Sequence, residues 1–119
     1  MRTLNLSRIG SVYIACGYTD MRRGINGLAA QVQQQFGMEP RSQAVFLFCG
    51  RRSDRFKALF WDGDGFVLLY KRLEEGRYQW PRSREEVQQL TEQEYRWLME
   101  GLSIIQPRAH KKVSAKDLV

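Results

Sequence analysis

Histidine is nearly missing from this 119-residue chain, and the one present, His110, lies in a polar C-terminal stretch. The two cysteines, Cys16 and Cys49, are far apart and form no CxxC pair. So thin a supply of ligands argues against a zinc site and against a disulfide scaffold. A catalytic Ser/His/Asp or Cys/His set would have to recruit His110 from the tail. Cys49, before Gly50-Arg51-Arg52, reads as a core cysteine at a strand end more readily than as a low-pKa thiol. No Gly-rich loop ends in Lys-Ser/Thr, which argues against nucleotide hydrolysis, and no cofactor is expected. No apolar run approaches the ~18 residues of a membrane span. The opening MRTLNLSRIG has no apolar signal core. The expectation is a cytoplasmic protein with no membrane partner.

Positive charge is abundant instead, and its placement is uneven. The net charge is +6. Residues 44–84 carry nine basic and five acidic side chains, whereas residues 85–105 carry one basic and five acidic. Residues 106–119 are again basic, with four against one. A basic centre beside an acidic segment fits a polyanion-facing surface plus a partner-facing or solvated helix.

The stretch Ala44–Pro81 organises the chain. AVFLFC, RFKALFW, FVLLYKRL and RYQW have strand composition, and GRRSD, DGDG and EEG between them have turn composition. Connections this short predict antiparallel neighbours. Every two-residue turn within DGDG gives the same side-chain parity. One face then carries Phe56, Ala58 and Phe60 opposite Val67, Leu69 and Lys71. The other carries Arg55, Lys57, Leu59 and Trp61 opposite Phe66, Leu68, Tyr70 and Arg72. That second face is cationic at the end away from the turn, where Arg55 and Arg72 repel unless something neutralises them. A phosphate backbone would do so.

Before this stretch, SVYIAC (Ser11–Cys16) predicts a short strand. Met21, Ile25, Leu28, Val32 and Phe36 form one helical stripe, with Thr19 or Asp20 as cap and Gly37 as stop. Gly24 and Gly27 inside that helix predict close approach of another backbone. Arg22 and Arg23 fall in its first turn, where either a bound anion or pairing with Asp20 would account for them. After the stretch, Ser83/Glu86 and Thr91/Glu94 match capping boxes. Glu86–Leu90 reads equally as short helix or extended edge. Glu92–Leu102 predicts a helix with Tyr95, Leu98, Met99 and Leu102 buried. The expected fold is α+β: a mostly antiparallel sheet, a meander of about four strands plus an N-terminal strand, with two or three helices packed on it. Residues 1–105 are expected to form one domain and residues 106–119 a basic, flexible tail.

The chemistry-bearing residues are few. Asp20, Asp54, Asp62 and Asp64 are the candidates for a metal-dependent nuclease, but Asp62 and Asp64 are better read as turn aspartates. RRSDR (Arg51–Arg55) sets three arginines around one aspartate, more than one carboxylate satisfies. Trp61, Trp80, Tyr70, Tyr78 and Phe66 lie beside cations, as base-stacking or as packing side chains. Phosphate contacts are predicted for Arg51, Arg52, Arg55, Lys57, Lys71 and Arg72, with Arg22 and Arg23 added if the helix start points the same way. Six contacts imply a salt slope of about −5 on duplex DNA.

TDMRRGINGLA, FLFCGRRSDRFKALFWDGDGFVLLYKRLEEGRYQWP and LTEQEYRWLMEGL together resemble the TnpB accessory proteins of the insertion sequence 66 family, over roughly residues 8–102. These are unrelated to the much longer RNA-guided nuclease of the same name, whose zinc cysteines are missing here. The resemblance implies a bacterial mobile-element protein encoded beside a transposase and needed for efficient transposition. It implies no catalytic activity of its own. The implied partners are DNA (element ends or target), the transposase and the companion accessory protein, with oligomerisation left open. An adaptor docking on the transposase is the alternative to DNA contact.

Overall fold

A computed structural model describes residues 5–82 and 86–105. Five strands form one sheet: β1 (Ser11–Ala15), β2 (Ala44–Phe48), β3 (Arg55–Trp61), β4 (Phe66–Arg72) and β5 (Val87–Leu90). Their spatial order is β4-β3-β2-β1-β5. Helices α1 (Ile25–Gln34) and α2 (Glu92–Met99) pack against the sheet, and Leu6–Arg8 forms a single 3-10 turn. The fold is thus α+β, with a mostly antiparallel sheet. β1 and β2 are parallel, and α1 supplies the crossover that a parallel return requires.

The β3–β4 ladder pairs Arg55 with Arg72, Lys57 with Tyr70 and Trp61 with Phe66, which is the parity read from the turn. Asp62 N–H donates to Gly65 O at 2.9 Å, and Gly63 takes φ 97° as the tight turn demands. Both faces of the sheet are covered. On one, Val12, Ile14, Val45, Leu47, Phe56 and Ala58 meet Leu6, Tyr78, Trp80, Tyr95 and Leu98. On the other, Phe46, Phe48 and Leu59 meet Leu28 and Val32 of α1. β2 is therefore buried at all five positions, which explains its unbroken apolar run. Leu28 and Val32 are completely buried, each stabilising the fold by about 1.5–3 kcal/mol.

The structure corrects several expectations. RYQW is not a fourth meander strand. Tyr78 and Trp80 alternate inward with Gln79 outward, as in a strand, but their bonds go elsewhere. Tyr78 N–H donates to Ser53 O (2.7 Å), Trp80 Nε1–H to Ala15 O (2.9 Å), and Pro81 O accepts from Gly17 N–H (2.9 Å). The segment crosses the sheet end from β4 toward β1, because the fifth strand, β5, pairs with β1 on the far edge. Glu86–Leu90 thus resolves as an edge strand.

Helix α1 begins at Ile25, with Gly24 as its N-cap and no side-chain cap. Met21–Arg23 precede the helix, so Arg22 and Arg23 do not lie in its first turn. Gly24 is not helical. What crowds Gly27 is the Arg23 side chain, whose Cβ would lie 3.1 Å from a Cβ added at Gly27, and not another backbone. The Thr91/Glu94 capping box forms in full, with bonds of 2.8 and 3.0 Å. Ser83 of the other predicted box lies outside the described residues. α2 stops at Met99, where Gly101 (φ 82°) and bonds from Leu102 N–H to Trp97 O and Gly101 N–H to Leu98 O make a Schellman end. Leu102 is consequently outside the helix and 44% exposed.

Candidate functional site

β1 and β2 end where β3 begins, β4 ends and β5 begins. One end of the sheet therefore gathers three connections: residues 16–24, residues 49–54 and residues 73–82. Backbone bonds tie them together. Thr19 N–H donates to Cys49 O (3.0 Å), Leu73 N–H to Asp54 O (2.7 Å) and Tyr78 N–H to Ser53 O (2.7 Å). Gly50 allows the first two to approach, since a Cβ there would lie 2.7 Å from Met21 Cγ.

Arg82 is the knot of this end, and nothing in the sequence marked it. Its guanidinium donates to Gly17 O and Gly50 O and to Ser53 Oγ (3.2 Å), and lies 4.3 Å from the centre of the Tyr18 ring. It also approaches Cys49 Sγ at 3.7 Å. Burial pushes the Cys49 thiol above its ordinary value, so this is a core cysteine rather than a reactive one.

The predicted phosphate-binding residues divide into two groups. Four have partners within the chain. Arg55 forks onto Asp54 (2.8 and 3.1 Å) and reaches Tyr70 Oη (3.2 Å). Lys57 Nζ donates to Met21 O (2.7 Å) and Arg23 O (2.9 Å), pinning the turn before α1. Arg23 Nη1 donates to Gln31 Oε1 (2.8 Å), whose amide donates to the buried Thr19 hydroxyl (3.2 Å). Arg22 is 91% exposed but forks onto Asp20. The Asp54 and Asp20 carboxyls are both held below the ordinary carboxylate value, chiefly by these arginine hydrogen bonds. The Arg55–Arg72 repulsion is thus relieved for Arg55 inside the chain by Asp54.

The rest have no carboxylate partner among the described residues. Arg51 and Arg52 are exposed on the β2–β3 loop, with Arg51 5.0 Å from the Tyr18 ring. Arg72 is exposed at the end of β4. Lys71 adjoins it on the same strand but lies on the opposite face. Arg77, which the sequence did not single out, is exposed beside them. Arg51, Arg52, Ser53, Asp54, Gly76 and Arg77 wall a cavity of about 440 Å³. A second, of about 430 Å³, lies between Tyr18–Met21 and Gly50–Arg52, with Arg55 at its wall.

The nuclease carboxylates are not brought together. Asp20 and Asp54 belong to this end, while Asp62 and Asp64 lie beyond the far end of seven-residue β3, about 20 Å away at ~3.3 Å per residue. Among the described residues, no three His, Cys, Asp or Glu side chains gather as a metal site. Most of the named aromatics pack: Trp80 and Tyr78 are buried, and Trp61 meets Phe66 edge-on at 5.0 Å. Tyr70 is 53% exposed.

These features define a small α+β protein whose arginines crowd one end of the sheet, without a gathered set of metal ligands among the described residues. The chain belongs to the IS66 Orf2-like family, whose model matches residues 10–109. It is 34% identical over 97 residues to the uncharacterized protein y4hO of Sinorhizobium fredii, covering 82% of this chain and 84% of the relative. It is 33% identical over 91 residues to the uncharacterized protein y4jC of the same organism, covering 76% and 78%. No solved structure matches the chain. Membership places it among insertion-sequence accessory proteins, the role that the sequence motifs imply. Among the described residues no helix is long and apolar enough to cross a membrane.

Proposed function

We propose that the chain assists transposition without catalysing a reaction, by gripping DNA phosphates with the loop end of its sheet. One observation supports this most: Arg51, Arg52, Arg72 and Arg77 stand exposed around that end, Asp54 among them is committed to Arg55, and the exposed Glu74 and Glu75 form no ion pair with them. Arginine forks suit phosphate oxygens, and an unneutralised cluster raises the local concentration of a polyanion. Arg22, Arg23, Arg55 and Lys57 shape or flank the surface, and contribute to its field even where their hydrogen bonds are internal. Lys71 adds positive charge from the other face. The DNA would be the ends or the target of the element, and the transposase and companion accessory protein are the proposed protein partners. Docking on the transposase through α2 has less support, since Glu94 is engaged in its own cap and Glu92 approaches Arg96 at 3.9 Å.

Fluorescence anisotropy against duplex DNA across salt tests the reading. Four exposed arginines predict a slope of about −4 in log affinity against log salt. Arg51→Ala with Arg52→Ala is expected to weaken all sequences alike and to shrink the slope by about 2. An affinity indifferent to salt would exclude phosphate contact as the basis of function.

A further inference from the structure

We propose that the notch between the β2–β3 loop and the Gly76 turn binds a single phosphate group of DNA, held by Arg52 and Arg77 with Arg51 at the rim. This rests on the DNA reading and sharpens it, from a diffuse positive surface to one fixed contact.

Two backbone bonds of 2.7 Å, from Tyr78 to Ser53 and from Leu73 to Asp54, hold the two walls at a set separation. A site so braced does not have to be ordered when its ligand arrives, which lowers the entropic cost of binding. Asp54, the one carboxylate in the wall, already accepts two bonds from Arg55. The Arg52 and Arg77 side chains make no hydrogen bond or ion pair with any described residue, although both line the same space and the Arg52 charge helps to hold the Asp54 carboxyl below its ordinary value. Gly76, at φ 84°, keeps the outer wall free of a side chain, and a Cβ there would meet nothing within 4 Å. The opening of about 440 Å³ takes a tetrahedral anion together with the sugar that carries it. Two guanidinium forks lining one notch, whose wall carboxylate is hydrogen-bonded to Arg55, are chemistry suited to a phosphate and not to a neutral ligand.

Phosphate of this kind has two sources in DNA: an internal phosphodiester, with one charge, and a terminal phosphomonoester, with close to two. The full chain is titrated with inorganic phosphate at constant ionic strength, following the backbone amides of residues 51–54 and 76–77 by NMR. Saturable shifts confined to those residues are expected, and their loss in Arg52→Ala/Arg77→Ala. Because both side chains are exposed, that variant should keep the wild-type melting temperature. Arg52→Lys/Arg77→Lys, which retains charge without the fork, is expected to lose most of the binding as well. Phosphate that shifts these amides no more than chloride overturns the notch.

A parallel arm compares duplexes with 5′-phosphate and 5′-hydroxyl ends. A roughly tenfold preference for the phosphorylated end, one charge-assisted hydrogen bond's worth, assigns the notch to a terminus. Equal affinity, with inorganic phosphate still competing, assigns it to an internal phosphodiester. The two readings fail separately. Absence of DNA binding by the wild type sinks the DNA reading, whereas the phosphate titration reports on the notch with no DNA present.

Discussion

Arg55 follows Asp54 directly in the chain and turns back to grip it, Nε to Oδ1 at 2.8 Å and Nη2 to Oδ2 at 3.1 Å. The pair removes one acid from the loop-end surface and one cation from the repulsion across the β3–β4 ladder. It leaves Arg72 opposite, exposed and unpaired among the described residues.

Breaking that pair has a predictable sign. The Asp54 carboxyl titrates below its ordinary value of 3.8 in the folded chain. Its stabilisation is therefore fully present above that value and is lost as pH falls through the folded one. Urea midpoints measured from pH 6 to pH 2 should fall in the wild type and fall less in Asp54→Asn. Asp20 contributes in the same direction, so the single variant removes only part of the loss. In DNA binding, Asp54→Asn releases Arg55 and should steepen the salt slope by about 1. An unchanged slope would mean that Arg55 does not reach the ligand.

Arg82 is predicted to hold the loop end together. Truncation to alanine strands the carbonyls of Gly17 and Gly50 and removes the side-chain link between residues 49–54 and the turn after β1. At about 1–3 kcal/mol for each buried group left unsatisfied, a loss of about 2–4 kcal/mol is expected in denaturant unfolding. Lysine should recover only part of this, because a single ammonium cannot span acceptors on two loops.

Tyr78 gives a prediction of the opposite sign. It is 2% exposed, its ring meets Phe56 edge-on at 5.3 Å, and its hydroxyl has no partner among the described residues. Tyr78→Phe keeps the ring and removes an unsatisfied buried group, so stabilisation of about 1 kcal/mol is expected. For a domain of this size that is about 4 °C in Tm. Burial pushes the Tyr78 phenol up from 10.0 to about 12. The stability tied to its neutral form is whole below pH 10 and is lost as pH rises through about 12. Alkaline unfolding should accordingly be less steep in the variant.

Gly10 is predicted to be intolerant of any side chain. An added Cβ would sit 2.3 Å from Gln43 O and 2.7 Å from Gln43 C, against backbone that enters the β1–β2 pairing. Gly10→Ala is expected to cost about 1–3 kcal/mol by overpacking. Gly65→Ala, where nothing lies within 4 Å, serves as the near-neutral control.

What the sequence determined by itself was local. Alternation on either side of DGDG fixed which side chains of β3 and β4 share a face, because parity survives any choice of turn. The Thr91–Glu94 spacing fixed the start of α2, because both bonds of a capping box lie within one turn. The arginine excess of Arg51–Arg55 was likewise visible, since one aspartate cannot satisfy three guanidinium groups. The tertiary structure decided whatever depended on partners distant in the chain. Tyr78 and Trp80 have a strand's alternation, yet they bond to Ser53 and Ala15, because the path from β4 to β5 must cross the whole sheet. Lys57 is engaged by the turn carbonyls of Met21 and Arg23, and Arg82 by two loops, contacts that no local period encodes. Arg77 joins Arg52 only because two backbone bonds bring its turn beside the β2–β3 loop. Composition supplied the positive charge, and the meeting of strand ends at one edge of the fold decided which of those charges the chain's own acids and carbonyls satisfy.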